Sequence, residues 1–110
     1  QVLNRDAKTV VFNNSLNKIE GNLSWVTVST EDPLKGILDW CLDNEIQSIM
    51  VEGGTTTLQG FLASNLWNEC RVIEAKKRIE KGTKAPPQPQ GKKTSKKIRY
   101  LKYLISLFNL

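Results

Sequence analysis

Short runs of β-branched and aromatic residues alternate with segments of helical periodicity, and this alternation constrains the fold more than any other feature of the chain. Apolar runs of four to eight residues bounded by turn residues are typical of buried strands. Strands are predicted at residues 8–13, 23–28, 46–51 and 69–73. The order strand, helix, strand, helix, strand is typical of parallel βαβ units. We therefore expect an α/β fold with a mostly parallel central sheet and flanking helices.

Two helices are predicted from their capping residues and apolar spacing. Asp32 precedes Pro33, and an acidic N-cap followed by proline at the first helical position favours a helix start. Thr55, Thr56 and Thr57 are candidate N-caps of the second helix. The predicted buried faces comprise Leu34, Ile37, Leu38, Cys41 and Leu42 in the first helix and Leu58, Phe61, Leu62 and Leu66 in the second.

The last forty residues have a different composition from the rest of the chain. Residues 71–110 contain twelve basic and two acidic side chains, whereas residues 1–70 contain four basic and nine acidic ones. A basic loop rich in proline, glycine and lysine is predicted over residues 76–97, within a single domain covering residues 1–110. Residues 98–110 fit both helical and strand spacing, and we predict extended structure for them.

The chain contains no histidine, which excludes several classes of catalytic site. Serine–histidine and cysteine–histidine nucleophiles are absent, as are histidine-containing zinc sites, and no metal is predicted. Cys41 and Cys70 each lie in an apolar run, so we expect buried, reduced thiols and a cytoplasmic location. No apolar run approaches the ~18 residues that a transmembrane helix needs, and no membrane partner is predicted.

Residues 48–58 carry the clearest functional signal. A predicted buried strand runs up to Glu52, and Gly53 and Gly54 then lead directly into a predicted helix. This arrangement directs free backbone N–H groups and the positive end of the helix dipole towards the carboxyl edge of a sheet, where phosphates bind. The same glycines also fit a plain tight turn, and Glu52 fits either an exposed carboxylate or a contact to ribose hydroxyls. The residues alone leave these alternatives open.

Several separated elements resemble, in order and spacing, the reductase domain of bifunctional riboflavin-biosynthesis enzymes. They are Ile49-Met50-Val51-Glu52-Gly53-Gly54, Leu58, Phe61-Leu62, Leu66-Trp67-Asn68-Glu69 and Gly82-Thr83-Lys84-Ala85-Pro86. The resemblance covers most of residues 8–86, and Asn68 stands where aspartate is usual. It implies a fold similar to dihydrofolate reductase and the NADPH-dependent reduction of 5-amino-6-(5-phosphoribosylamino)uracil to its ribityl form.

The resemblance also implies roles for individual residues. Glu52 would contact the phosphoribosylamino-pyrimidine substrate. The cofactor NADPH would lie along Gly53, Gly54, Thr55, Thr56, Thr57 and Leu58. A hydride would pass from the nicotinamide to the ribose C1, which is cofactor chemistry that needs no histidine. In this family the domain starts with a further strand and loops, so we expect Gln1 to lie inside such a domain.

A noncatalytic anion-binding or dimerisation module is the alternative function. The basic charge of residues 71–110 favours an anionic partner. The apolar tail, residues 98–110, offers a strand edge to a second copy, so we expect a homodimer. Tyr100 and Tyr103 lie among basic residues, but no nucleic-acid-binding motif accompanies them, and nucleic acid is not the predicted partner.

Overall fold

The computed structural model describes residues 6–89, 92–100 and 103–109, and the chain divides into two compact units, Gln1–Ile49 and Met50–Leu110. The first unit contains strands β1 (Thr9–Asn13), β2 (Lys18–Glu20) and β3 (Leu23–Thr27) and helix α1 (Pro33–Asp43). The second unit contains helix α2 (Thr55–Ala63) and strands β4 (Glu69–Ala75), β5 (Lys92–Tyr100) and β6 (Tyr103–Asn109). The prediction of an α/β class is confirmed as a small mixed α/β protein.

The sheet of the first unit is mixed, and β3 is its central strand. β1 runs parallel to β3, with Thr9 opposite Leu23. β2 runs antiparallel along the other edge of β3, with Glu20 opposite Leu23, and Gly21 and Asn22 form the predicted turn between them. The pairing of β1 with β3 is the one parallel pairing among the described strands, so a mostly parallel sheet is not found in this part of the chain.

Helix α1 begins and ends where its capping residues predict. The Asp32 carboxylate accepts a hydrogen bond of 3.1 Å from the Lys35 amide, and Pro33 is the first helical residue. The helix ends at Asn44, whose amide donates to the Trp40 carbonyl at 3.0 Å, and Glu45 then adopts a φ of 59°. A residue in this left-handed region cannot continue the helix.

A ring contact holds α1 against the first sheet. Phe12 of β1 and Trp40 of α1 meet edge to face, with centroids 5.4 Å apart and planes at 79°. Gly36 lets the helix approach closely, because an added Cβ would lie 3.1 Å from the Val28 Cβ. Cys41 is buried as predicted, but Leu42 is 75% exposed, so its assignment to the buried face was wrong. The helix turns Trp40 rather than Leu42 towards the sheet.

The strand predicted at residues 46–51 is not formed in the structure. The amide of Ile46 donates to the Cys41 carbonyl at 2.9 Å, which completes the helix end. Residues 47–53 make no backbone hydrogen bond to any other described residue, and Met50 is 84% exposed. The predicted series of βαβ units is therefore wrong, because a strand needs a partner edge as well as an apolar sequence.

The sheet of the second unit is antiparallel, with β6 between β4 and β5. β4 and the extended tail were predicted, although residues 101, 102 and 110 lie outside the described residues. The basic loop predicted over residues 76–97 is correct for 76–89 and wrong for 92–97, which belong to β5. Long-range pairing with β6 outweighs the weak strand preference of lysine. The pairing of β5 with β6 shifts register between Thr94 and Ile98, and such an irregularity discourages further pairing at a sheet edge.

The cysteines and the helices differ in burial from their sequence predictions. Both thiols are free, but Cys70 is only half-buried, whereas Cys41 is buried. In α2, Phe61 is 7% exposed and marks the buried face, while Leu66 follows the helix and is 39% exposed. Neither helix of the described residues has the length and hydropathy needed to cross a bilayer.

The cap of α1 leads to a first testable prediction. Replacing Asp32 by alanine leaves the Lys35 amide without its side-chain acceptor, which should lower the free energy of unfolding by about 1 kcal/mol. Asp43→Ala is the matched control, because an acidic residue in the last turn opposes the helix dipole and its removal should cost nothing. Urea unfolding followed by circular dichroism measures both. An equal decrease in the free energy of unfolding in the two variants would contradict the capping role of Asp32.

The half-buried thiol leads to a prediction about pH. Burial raises the pKa of Cys70, so alkylation by iodoacetamide should rise at a higher pH in the folded protein than in urea. Mass spectrometry of the two cysteine-containing peptides measures the alkylation of Cys70 separately from that of Cys41. Below the pKa of Cys70 in the unfolded state, the neutral thiol makes its full contribution to the free energy of unfolding. This contribution is lost as the pH rises through the pKa of Cys70 in the folded state. Identical pH profiles of Cys70 alkylation in the folded and the urea-unfolded protein would contradict the raised pKa of the Cys70 thiol.

Candidate functional site

The start of α2 presents free backbone donors. Thr55, Thr56 and Thr57 donate no backbone hydrogen bond to a described residue, and no side chain caps this end. The first bond of the helix joins the Leu58 amide to the Gly54 carbonyl at 3.3 Å. Three free amides at the positive end of a nine-residue helix favour an anion there.

The two glycines before α2 have different structural requirements. Gly53 has a φ of 134°, which L-residues with a side chain rarely adopt, so glycine is needed for the turn itself. Gly54 is the N-cap, with φ −66° and ψ 160°, a conformation open to any residue. A Cβ added at either position would meet no atom within 4 Å. The space beside both glycines is open to an approaching ligand.

The structure places Glu52 differently from the sequence expectation. Its side chain is exposed and precedes α2 by three residues. Because residues 46–51 form no strand, Glu52 does not stand at the carboxyl end of a strand, and the site is a loop-to-helix turn. A carboxylate in this exposed position can accept hydrogen bonds from hydroxyl groups of a ligand.

The threonines at the helix start are not equivalent. The Thr55 hydroxyl donates a hydrogen bond of 2.7 Å to the Lys84 carbonyl, so its proton is engaged in holding the loop that contains Lys84. Thr56 and Thr57 are exposed, and their hydroxyls make no hydrogen bond to a described residue. Leu58 is half-buried and its amide is used within the helix. Its contribution to a bound molecule would come from packing of its side chain.

Sequence reasoning did not assign Lys84 to the site. The bond from Thr55 spans 29 residues of sequence and brings the backbone of Lys84 to the first residue of α2. Exposed basic side chains populate this loop, namely Lys76, Lys77, Arg78, Lys81 and Lys84. The resemblance of residues 82–86 to a family loop was the signal that could have connected it with residues 52–58. The loop adds positive charge to the unit that holds the helix start.

A separate cavity of about 320 Å³ lies in the second unit and contains none of the predicted site residues. It is lined by Gln59, Leu62, Ala63, Asn65, Trp67, Pro87, Gln88 and Pro89. The Nε1 atom of Trp67 is buried without a hydrogen-bond partner in the described structure, an arrangement that costs about 1–3 kcal/mol. No charged side chain lines this cavity, so it does not suit a pyrophosphate.

The glycine turn generates a prediction that separates its two residues. Gly53→Ala should destabilise the protein by about 1 kcal/mol or more, because alanine is strained at a φ of 134°. Gly54→Ala should cost less, since its backbone is extended and the added Cβ has free space. Thermal unfolding of both variants provides the measurement. A larger loss for Gly54→Ala would show that the turn is built differently.

No model of a protein family, no curated protein and no solved structure matches this chain. The resemblance over residues 8–86 therefore rests on the order and spacing of its motifs. The functional argument depends on the geometry at the start of α2 and on the residues that surround it.

Proposed function

We propose that this chain carries the cofactor-binding part of an NADPH-dependent pyrimidine reductase. The substrate in this proposal is 5-amino-6-(5-phosphoribosylamino)uracil, whose ribosyl group is reduced to ribityl. The observation that carries the proposal is the helix start: two glycines with open space beside them, three free amides, and a hydrogen bond that joins this start to the Lys84 loop. Two motifs that resemble one family thus lie side by side.

The residues at the start of α2 fit the pyrophosphate of a dinucleotide. Gly54 carries no Cβ where a phosphate would approach, and the amides of Thr55, Thr56 and Thr57 are available as donors. When bound, NADPH supplies the hydride for the reduction. In this proposal Thr56 and Thr57 add hydroxyl donors, and the protein's task is to hold the two reactants in position.

Glu52 is proposed to bind the substrate. An exposed carboxylate beside the glycine turn can accept hydrogen bonds from the ribose hydroxyls and orient the ribose C1. If so, Glu52→Gln in the complete enzyme lowers kcat/KM for the pyrimidine and leaves the affinity for NADPH unchanged. Unaltered reductase kinetics in this variant would remove Glu52 from the substrate site.

The proposal also includes a dihydrofolate-reductase-like architecture, a cytoplasmic location and a homodimer. The parallel pairing of β1 with β3 and the position of α1 against β1 support the architecture. The two free cysteines are compatible with a reducing compartment. The strand-edge argument for a homodimer is weakened, because β6 is paired along both edges, and of the described residues in the apolar tail those in β5, residues 98–100, lie in an outer strand. Light scattering of the purified protein tests the dimer.

Titration with NADPH and NADH tests the proposed cofactor site. Saturable binding with a preference for NADPH is expected, and Gly54→Val should weaken it at least tenfold by filling the space beside the free amides. Ala63→Val, at the opposite end of the same helix, is the matched control and should retain binding. Nicotinamide fluorescence measures affinity, and circular dichroism confirms that each variant is folded.

Two outcomes of this titration would contradict the proposal. Equal NADPH affinity in the wild-type protein and in Gly54→Val would separate the glycine turn from the cofactor. Absence of binding in a folded wild-type protein would leave the start of α2 as a simple turn.

A noncatalytic anion-binding module is the second candidate, and the exposure of the basic side chains in residues 76–84 favours it. Binding of a polyanion such as heparin would then fall steeply with salt concentration. Charge reversal at Lys76 and Lys77 would abolish it, whereas Gly54→Val would have no effect. These responses are the opposite of those expected for a specific NADPH site.

A further inference from the structure

A second cavity lies entirely within the first unit and has a volume of about 760 Å³. Its floor is a row across three strands, because Val10 of β1 and Ile19 of β2 both lie opposite Ser24 of β3. Residues paired across a sheet point to the same face. Phe12, two residues beyond Val10, also points to this face and contacts α1. The cavity is therefore the part of the helix-bearing face that α1 does not cover.

The end of α1 forms one wall of this cavity, which we name the β-face cleft. Trp40 and Asn44 line it, and Asn44 is held by a hydrogen bond of 2.9 Å from its side-chain amide to the Trp40 carbonyl. Trp40 is itself held by Phe12. Across the cleft, Ile19 is 80% exposed, so the floor offers apolar surface to a ligand. A flat apolar ring can lie on this floor beside the indole of Trp40.

The charged residues that line the β-face cleft are both lysines. Lys8 precedes β1, and Lys18 begins β2. Lys18 is paired with Trp25 across the sheet, so both side chains point to the face opposite Ile19 and Ser24. There the Lys18 ammonium lies 3.2 Å from a Glu20 carboxylate oxygen and 5.5 Å from the ring centroid of Trp25. Lys8 forms no ion pair with the residues described by the structure. No carboxylate lines the cleft. Its electrostatic potential therefore favours an anion.

We propose that the β-face cleft binds a small planar aromatic anion. The ring lies on Val10, Ile19 and Ser24 against Trp40, and the anionic group lies near Lys8. A volume of about 760 Å³ falls within the range of ligand sites, roughly 300–1,000 Å³. The proposal concerns the first unit alone and does not depend on the reductase function proposed for the second.

The test uses 2-naphthoate and its neutral isostere 2-naphthamide as probes. The side-chain ¹⁵N–H signals of the tryptophans report the location of binding, because Trp40 lines the cleft and Trp67 lies in the other unit. Phenylalanine variants of Trp25 and Trp67 assign the three signals and leave Trp40 intact. We expect 2-naphthoate to shift the signal of Trp40 and to leave that of Trp67 unchanged. The neutral amide should bind about fivefold more weakly, as expected for loss of one exposed charge interaction.

Two pairs of variants separate the charged part of the site from the apolar part. Lys8→Gln should weaken 2-naphthoate about fivefold, whereas Lys35→Gln on the exposed side of α1, where Lys35 pairs with Asp39, should have no effect. Ile19→Ser should weaken the binding of both probes. Ile79 is equally exposed in the other unit, and Ile79→Ser should leave the binding of both probes unchanged. A higher salt concentration should weaken the binding of 2-naphthoate and leave the binding of 2-naphthamide unchanged.

The proposal fails if the two probes bind equally, if Lys8→Gln leaves the affinity for 2-naphthoate unchanged, or if the Trp67 signal shifts together with that of Trp40. It also fails if folded protein shows no shift at millimolar probe. Trp40 is left intact in every test variant, because its removal would also remove the contact with Phe12.

Discussion

Each sheet of this protein depends on one central strand to which both neighbouring strands are hydrogen-bonded. In the first unit β3 pairs with β1 and β2, and in the second β6 pairs with β4 and β5. Without the central strand the outer strands lose their described partners, since β1 and β2 do not pair with each other, nor do β4 and β5. Helix α1 then depends on the first sheet, because Phe12 on β1 holds Trp40 in place.

This arrangement leaves part of the structure open to ligands. Helix α1 covers the Phe12 end of the first sheet, and the uncovered remainder becomes a cleft with Lys8 at its rim. In the second unit, the free amides at the start of α2 follow from a helix that has no side-chain cap. Both sites therefore arise from backbone or apolar groups that the fold leaves without an internal partner, and such groups are available to bind other molecules.

The turn before α2 was predicted from the sequence because its cause is local. Gly53 was singled out from the sequence, and its φ of 134° requires glycine. The helix start was predicted in the right place, but Thr55, Thr56 and Thr57 are not its N-caps: Gly54 is the N-cap, and the threonines form the first turn of α2. The hydrogen bond from the Thr55 hydroxyl to the Lys84 carbonyl could not be predicted, because a contact across 29 residues depends on the path of the chain. The same reason explains why Thr55 is less available to a ligand than Thr56.

The sequence by itself determined the local elements: the cap of α1 at Asp32, the turn at Gly21 and Asn22, and the strands β1, β3 and β4. Each depends on capping, turn geometry or apolar pattern within a few residues. Only the tertiary structure decided that residues 46–51 stay unpaired and that lysine-rich residues 92–97 enter a strand. Strand formation requires hydrogen bonds to a distant segment, and an apolar or polar pattern alone does not reveal which distant segment supplies them.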